Sequence, residues 1–241
     1  MVKCWAKDLG GCCNTKSGEH YISKYLWDTD KIVVKGLRSD EAKEIGINSL
    51  TANVLCSTHN SNLSSVDTGM KEIKDTIQEF YRFYGARKKI GSKNLDNFIK
   101  LNINGKILER WCIKFVIGLF YAVGKNSYWH ETNTPPLNPP LNIVKAVFGL
   151  NTLEKPLGLY SDYIVGDIQR NKYADRTCEF LNHSTGGVVG AKIDFDGLRL
   201  LIWLKSEDVD FSLFKYGEKL IYRPQKFLFK DAKQALKFQW D

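Results

Sequence analysis

The chain has 241 residues, a hydrophobic fraction of 43% and a formal net charge of +8 at neutral pH. That length and apolar content suit one large domain or two small ones. The six cysteines are too few and too unevenly placed for a disulfide scaffold, and the longest near-apolar run, Cys112 to Gly124 with Lys114 inside it, is too short to span a bilayer.

The start, Met1-Val2-Lys3-Cys4-Trp5, lacks the pattern of a secretory leader. With clustered thiols this points to a soluble protein in a reducing, cytoplasmic setting. The basic balance, with a pI near 9.0, suits a polyanion partner, because long-range attraction to phosphate speeds encounter.

Residues 1–65 alternate short β-type pieces with loops. Tyr21–Leu26 and Lys31–Val34 are predicted strands, with a turn near Asp28-Thr29-Asp30 and a break at Gly36. Arg38–Lys43 is a loop or short helix, and Cys56 to Ser64 carries a helix whose first turn presents His59 and Asn60. Asp67 or Thr68 then caps a longer helix. Its apolar stripe is Met70, Ile73, Ile77, Phe80 and Tyr84, and Gly91 stops it. Arg87-Lys88-Lys89 lies at its end, as a solvated helix end or a phosphate-facing strip. A second helix is predicted from Lys106 to Val123 on Leu108, Trp111, Cys112, Phe115, Leu119 and Val123, with Cys112 in the core. The two helices are expected to form a hairpin.

Residues 124–140 form a loop that carries Pro135-Pro136 and Pro139-Pro140. Tyr128 and Trp129 are read as packing aromatics and His130 as a surface histidine. Leu141–Phe148 is a short helix. From Leu157 the period changes to two. Strands are predicted at Tyr163–Ile168, Cys178–Leu181, Gly187–Asp194, Leu198–Lys205, Lys219–Tyr222 and Lys226–Phe229. Asp196-Gly197 is the hairpin turn among them, and His183 falls in a loop. No repeat, phosphate-binding loop or dinucleotide fingerprint is present. The expected fold class is α+β. It comprises an N-terminal metal-stapled core (1–65), a central helical region (66–150) and a C-terminal antiparallel β-sheet (151–241).

Site chemistry concentrates near the N-terminus. Structural zinc takes four thiolate or imidazole ligands in spaced pairs. Cys56-x-x-His59 is one pair, and Cys4 with Cys12 or Cys13 is a wider one. Spacing does not choose between Cys12 and Cys13. Taken alone, the wide pair reads as small core residues; the second pair within sixty residues turns the reading to zinc. Glu19-His20 sets a carboxylate that can hold a hard cation beside an imidazole that can take a proton from water. The amide oxygen of Asn60, next to His59, can join the same cation site.

These residues resemble the HNH nuclease family, with its ββα-metal core. The matching positions are Cys4 with Cys12 or Cys13, Ser17-Gly18-Glu19-His20-Tyr21-Ile22-Ser23, Asn48-Ser49-Leu50, and Leu55-Cys56-Ser57-Thr58-His59-Asn60. The resemblance implies that His20 is the general base and that Glu19 and Asn60 hold a catalytic Mg²⁺ or Mn²⁺. It also implies that Cys4, Cys12 or Cys13, Cys56 and His59 hold structural zinc. Asn48 or Asn53 matches the middle asparagine. The chain departs from the family pattern in having His59 for the usual second cysteine and Asn60 as the last ligand.

The function implied is metal-dependent cleavage of nucleic acid, above all DNA, with homodimers common among enzymes that cut both strands. The alternative is a degenerate, zinc-stapled module that binds nucleic acid or a protein partner. A role in phage–host conflict suits either reading by family association. A zinc hydrolase acting on a small molecule is disfavoured, since the zinc set leaves no open position.

Overall fold

The computed structural model describes residues 4–35, 41–123, 128–129, 139–161, 176–182, 187–205 and 220–241. The expectations for Gly36, for the first part of Arg38–Lys43, for the strand Tyr163–Ile168, for His130 and for His183 lie outside these residues. So do those for most of the 124–140 loop and for the side chains of Tyr128 and Trp129.

In chain order the elements begin with β1 (Lys16–His20), β2 (Lys31–Val34), β3 (Lys43–Gly46), β4 (Thr51–Cys56), α1 (Ser57–Asn62) and α2 (Ser64–Ile90). Next come β5 (Ile99–Asn104), α3 (Gly105–Val123), β6 (Tyr128–Trp129) and α4 (Leu141–Val147). The chain finishes with β7 (Gly158–Ser161), β8 (Thr177–Asn182), β9 (Gly187–Phe195), β10 (Leu198–Trp203), β11 (Ile221–Tyr222), β12 (Lys226–Phe229) and β13 (Gln234–Gln239). The fold is mixed α+β, and most strand pairs are antiparallel. Among the described residues no helix is long and apolar enough to cross a membrane.

The chain divides into two compact units. One comprises Met1–Met70, Arg110–Leu153 and Asn182–Val189; the other comprises Lys71–Glu109, Glu154–Leu181 and Gly190–Asp241. The stretches 1–65, 66–150 and 151–241 do not map one to one onto these units.

In the first unit β1 pairs antiparallel with β4, and β4 runs directly into α1. The register shifts between Ser17 and Glu19, an irregularity of the kind that re-aims side chains at one point of a ladder. β2 and β3 form a separate antiparallel pair. The strand expected at Tyr21–Leu26 is not there. β1 ends at His20, and Lys24–Leu26 is a single 3₁₀ turn. The reason lies in packing: Tyr21 is buried against α3, where a Cβ on Gly118 would stand 2.9 Å from the Tyr21 Cβ. Only a residue without a side chain lets the helix approach so closely. Most of α3 is buried all round, with Trp111, Cys112, Ile113, Val116 and Ile117 nearly inaccessible, as its apolar sequence requires.

In the second unit β11, β7, β10 and β9 form an antiparallel sheet in that order, with β8 on β9. Asp196 and Gly197 both have positive φ, the conformation of a two-residue hairpin turn between β9 and β10. A smaller sheet has the order β12-β13-β5, in which β13 and β5 run parallel. The C-terminal strands are therefore not all antiparallel, and α2 and α3 are not joined as a simple hairpin. The chain between them enters a sheet as β5, whose Ile99-Lys100-Leu101-Asn102-Ile103-Asn104 alternates apolar and polar residues. Arg87 is not part of a phosphate-facing strip. Its buried guanidinium donates to the carbonyl of Ala232 and to Asn97 Oδ1.

At Gly190 the backbone of the facing strand comes very close: a Cβ there would overlap the Ile202 carbonyl oxygen across the ladder. Gly190→Ala should destabilise the protein by about 1–3 kcal/mol, because a strand must shift to admit the methyl group. A urea midpoint equal to wild type would refute this.

Candidate metal centre

The joint between β4 and α1 gathers four ligand atoms. Cys4, Cys12 and Cys56 offer Sγ and His59 offers Nδ1, and all lie within 4.8 Å of one another. The Sγ-to-Nδ1 distances are 3.3 Å for Cys4, 3.5 Å for Cys12 and 3.3 Å for Cys56. A tetrahedral ion with Zn–S near 2.3 Å and Zn–N near 2.0 Å separates sulfur from nitrogen by about 3.5 Å. The donor set and spacing therefore fit a zinc-type ion, and the four residues present can hold one.

Local structure explains the convergence. Cys56 ends β4 and His59 sits in the first turn of α1, so three residues of chain swing both side chains to one point. Cys4 is brought in by the Trp5 N–H, which donates to the Val54 carbonyl at 3.0 Å. The ring of Phe148, just past α4, packs edge-on against His59 at 5.5 Å and also meets Trp5 at 5.8 Å. Cys4, Cys56 and His59 are buried, while Cys12 closes the cluster from the exposed side.

Of the two adjacent cysteines, Cys12 joins the cluster and Cys13 does not. The Cys13 thiol turns to Ser57 Oγ at 3.1 Å. The environments of the two thiols differ accordingly. Desolvation and the neighbouring Cys4 and Cys56 push Cys12 up to about 12, whereas hydrogen bonds from Ser57 and Thr58 hold Cys13 down at about 5. Burial likewise raises Cys4. A bound cation reverses the cost of crowding thiolates, which is why metal binding to such a set releases protons.

The second expected site comes out differently. Glu19 is buried, and its Oε1 lies 2.6 Å from the Lys114 ammonium of α3. The same ammonium donates to Asp67 Oδ2, in the first turn of α2, at 2.6 Å. The Glu19, Lys114 and Asp67 side chains are only 5%, 6% and 19% exposed, so the three form a buried triad, in which burial raises the Glu19 carboxyl against the opposing pull of Lys114. Burial pulls the Lys114 amine down, but Glu19 and Asp67 together outweigh it and raise it, so the ammonium stays charged. Asn60 meanwhile donates its side-chain N–H to Ser17 Oγ at 2.7 Å. The carboxylate expected to hold a cation is thus already paired with an ammonium, whereas the bond to Ser17 uses only an N–H of Asn60 and leaves its amide oxygen uncommitted. A Mg²⁺ or Mn²⁺ ion held by Glu19 and Asn60 does not fit this arrangement, since Lys114 already supplies the positive charge at Glu19.

His20 ends β1, opposite Thr51. Its Nε2 is enclosed and has no hydrogen-bond partner among the described residues. Burial, with Lys24 and Lys114 nearby, lowers its pKa and keeps the ring neutral. Asn48, in the 3₁₀ turn Ile47–Ser49, and Asn53, on β4, are both exposed.

Sequence reasoning missed Lys114 and Asp67. The signal for the first was present: a lysine inside an otherwise apolar helix needs a buried counter-charge. Asp67 or Thr68 is the expected helix cap, but α2 begins earlier, at Ser64, which frees the Asp67 carboxylate to reach α3. No protein-family model, curated protein or solved structure matches the chain.

Proposed function

We propose that the first unit is a zinc-stapled, HNH-like ββα module that acts on nucleic acid, with His20 as the general base for phosphodiester hydrolysis. One observation carries this reading. A cluster of three cysteines and one histidine sits where the β1–β4 pair meets α1, and through Cys56 it ties β4, the partner of the strand that ends in His20, to the helix that bears His59 and Asn60. Zinc would join Cys4, Cys12, Cys56 and His59, and with all four positions filled by protein it would hold structure rather than activate water.

The chemistry assigned to the chain itself is modest. In this reading neutral His20 takes a proton from a water aligned with the scissile phosphorus once substrate binding opens its Nε2, which is enclosed here. The net charge of +8 draws a phosphate backbone to the protein. A second reading, a catalytically silent module that binds nucleic acid or a protein partner, is favoured by the Lys114–Glu19 pair, which withholds the carboxylate from an added cation.

Cleavage of plasmid, single-stranded DNA and RNA by zinc-loaded wild type and His20→Ala separates the two. The expected result is a loss of about 10²–10⁴-fold in rate for His20→Ala, with zinc content unchanged. Full activity in that variant would remove His20 from the reaction. Zinc-loaded wild type that cuts none of the three substrates would establish the silent module.

A further inference from the structure

We infer that Lys114 is a resident cation: its ammonium holds, between Glu19 and Asp67, the place that the HNH resemblance assigns to a divalent metal ion. The inference rests on that reading for the identity of the place, and on geometry for its occupant. A hard divalent ion needs carboxylate and other oxygen ligands at about 2.0–2.6 Å. Here two carboxylate oxygens, one from β1 and one from α2, each lie 2.6 Å from a single Nζ atom. A metal ion between the same oxygens would have to share the space with an ammonium, and like charges that close repel strongly in a buried site.

The triad is also built rather than incidental. Gly118, four residues on from Lys114 and so on the same face of α3, is where that helix presses onto Tyr21, two residues past Glu19. This contact fixes the height of Lys114 against the end of β1. The second oxygen of Asp67, Oδ1, is buried with no hydrogen-bond partner among the described residues, and His20 lies within electrostatic reach of both Lys114 and Asp67. The surroundings are those of a cation site, with the cation supplied by the chain. Two consequences follow. The wild-type protein takes up no Mg²⁺ or Mn²⁺ through Glu19, and any cleavage by His20 proceeds without either ion.

Mn²⁺ titration of zinc-loaded protein, followed by electron paramagnetic resonance and by thermal unfolding, tests this. Wild type should bind no Mn²⁺ that Glu19→Gln abolishes, and its melting temperature should move by less than about 1 °C at about 1 mM Mn²⁺. Lys114→Met, which removes the charge and keeps the bulk, should gain one Mn²⁺ site and about 5 °C under the same conditions. Glu19-dependent Mn²⁺ binding by wild type would overturn the inference, as would a folded Lys114→Met that gains no site. Should Lys114→Met fail to fold, the wild-type titration with Glu19→Gln decides alone.

Cleavage is scored separately, with and without added Mg²⁺ or Mn²⁺. Cutting with no Glu19-dependent Mn²⁺ site upholds both the nuclease reading and the resident cation. Cutting that requires Mn²⁺ bound through Glu19 keeps the nuclease reading and overturns the resident cation. The absence of both cutting and a Mn²⁺ site upholds the resident cation and leaves the binding module as the function.

Discussion

Cys56→Ser is expected to strip the protein of zinc and to lower its stability by about 4 kcal/mol, the linkage value of a thousandfold loss of metal affinity. Cys56 is fully buried, ends β4, and stands 3.3 Å from His59 Nδ1. Serine at that position gives a poor ligand for a borderline-soft ion and leaves a hydroxyl among buried groups. The effect should be large because beyond the buried Cys4-Trp5-Ala6 the segment that carries Cys12 packs little: Lys7–Leu9 has no buried residue and Cys12 is exposed. Chelation of the wild type should reproduce the loss. Cys13→Ser serves as the control, since its thiol bonds Ser57 and lies outside the cluster; it should keep full zinc content and an unchanged melting temperature. Atomic absorption and thermal unfolding on the three proteins decide the matter. Unchanged zinc in Cys56→Ser would remove that residue from the ligand set, and loss of zinc in Cys13→Ser would exchange Cys12 for Cys13.

In the second unit the largest effect is expected at Glu109, with Glu109→Ala costing about 3–5 kcal/mol. This carboxylate accepts three hydrogen bonds: from the Leu159 N–H at 2.9 Å, from Arg223 Nε at 3.1 Å and from Arg223 Nη2 at 2.8 Å. Glu109 and Arg223 are 8% and 18% exposed at the side chain. Burial pulls Arg223 down, but Glu109 outweighs it and the guanidinium is held firmly charged. Removing the carboxylate strands a partly buried cation and a buried backbone donor, and that desolvation penalty exceeds the worth of the pair itself. The double variant Glu109→Leu with Arg223→Met should recover much of the loss, since neither charge is then left unpaired. Urea denaturation of wild type, both single variants and the double variant provides the test. A single-variant loss under about 1 kcal/mol would show that solvent reaches Arg223 freely.

Several features were legible from residues alone. The stripe Met70, Ile73, Ile77 and Phe80 becomes the buried face of α2, and most of the run from Leu108 to Phe120 becomes the buried body of α3. Asp196-Gly197 turns the hairpin as its chemistry demands. Other features were not legible, because the deciding partner is remote in the chain. Lys16-Ser17-Gly18-Glu19-His20 has poor intrinsic strand propensity, yet it is the strand, since Thr51–Cys56 pairs with it; the more strand-like Tyr21–Leu26 is pulled out of the ladder by its packing on α3. β5 was overlooked although its alternation was visible, because its pairing partner β13 lies more than 130 residues later.

By itself the sequence determined the chemistry on offer: thiol and imidazole ligands in two spaced pairs, an acid beside a histidine, helices where apolar residues recur every three to four positions, and a basic surplus of charge. Those follow from residue type and local spacing. Only the tertiary structure decided how that chemistry is used. It selects Cys12 over Cys13, because the chain turns one thiol to His59 and the next to Ser57. It also sets Lys114 against Glu19, because α3 packs on the end of β1 through Gly118. A buried charge is answered by whichever opposite charge packing brings within reach, and spacing along the chain does not specify that partner.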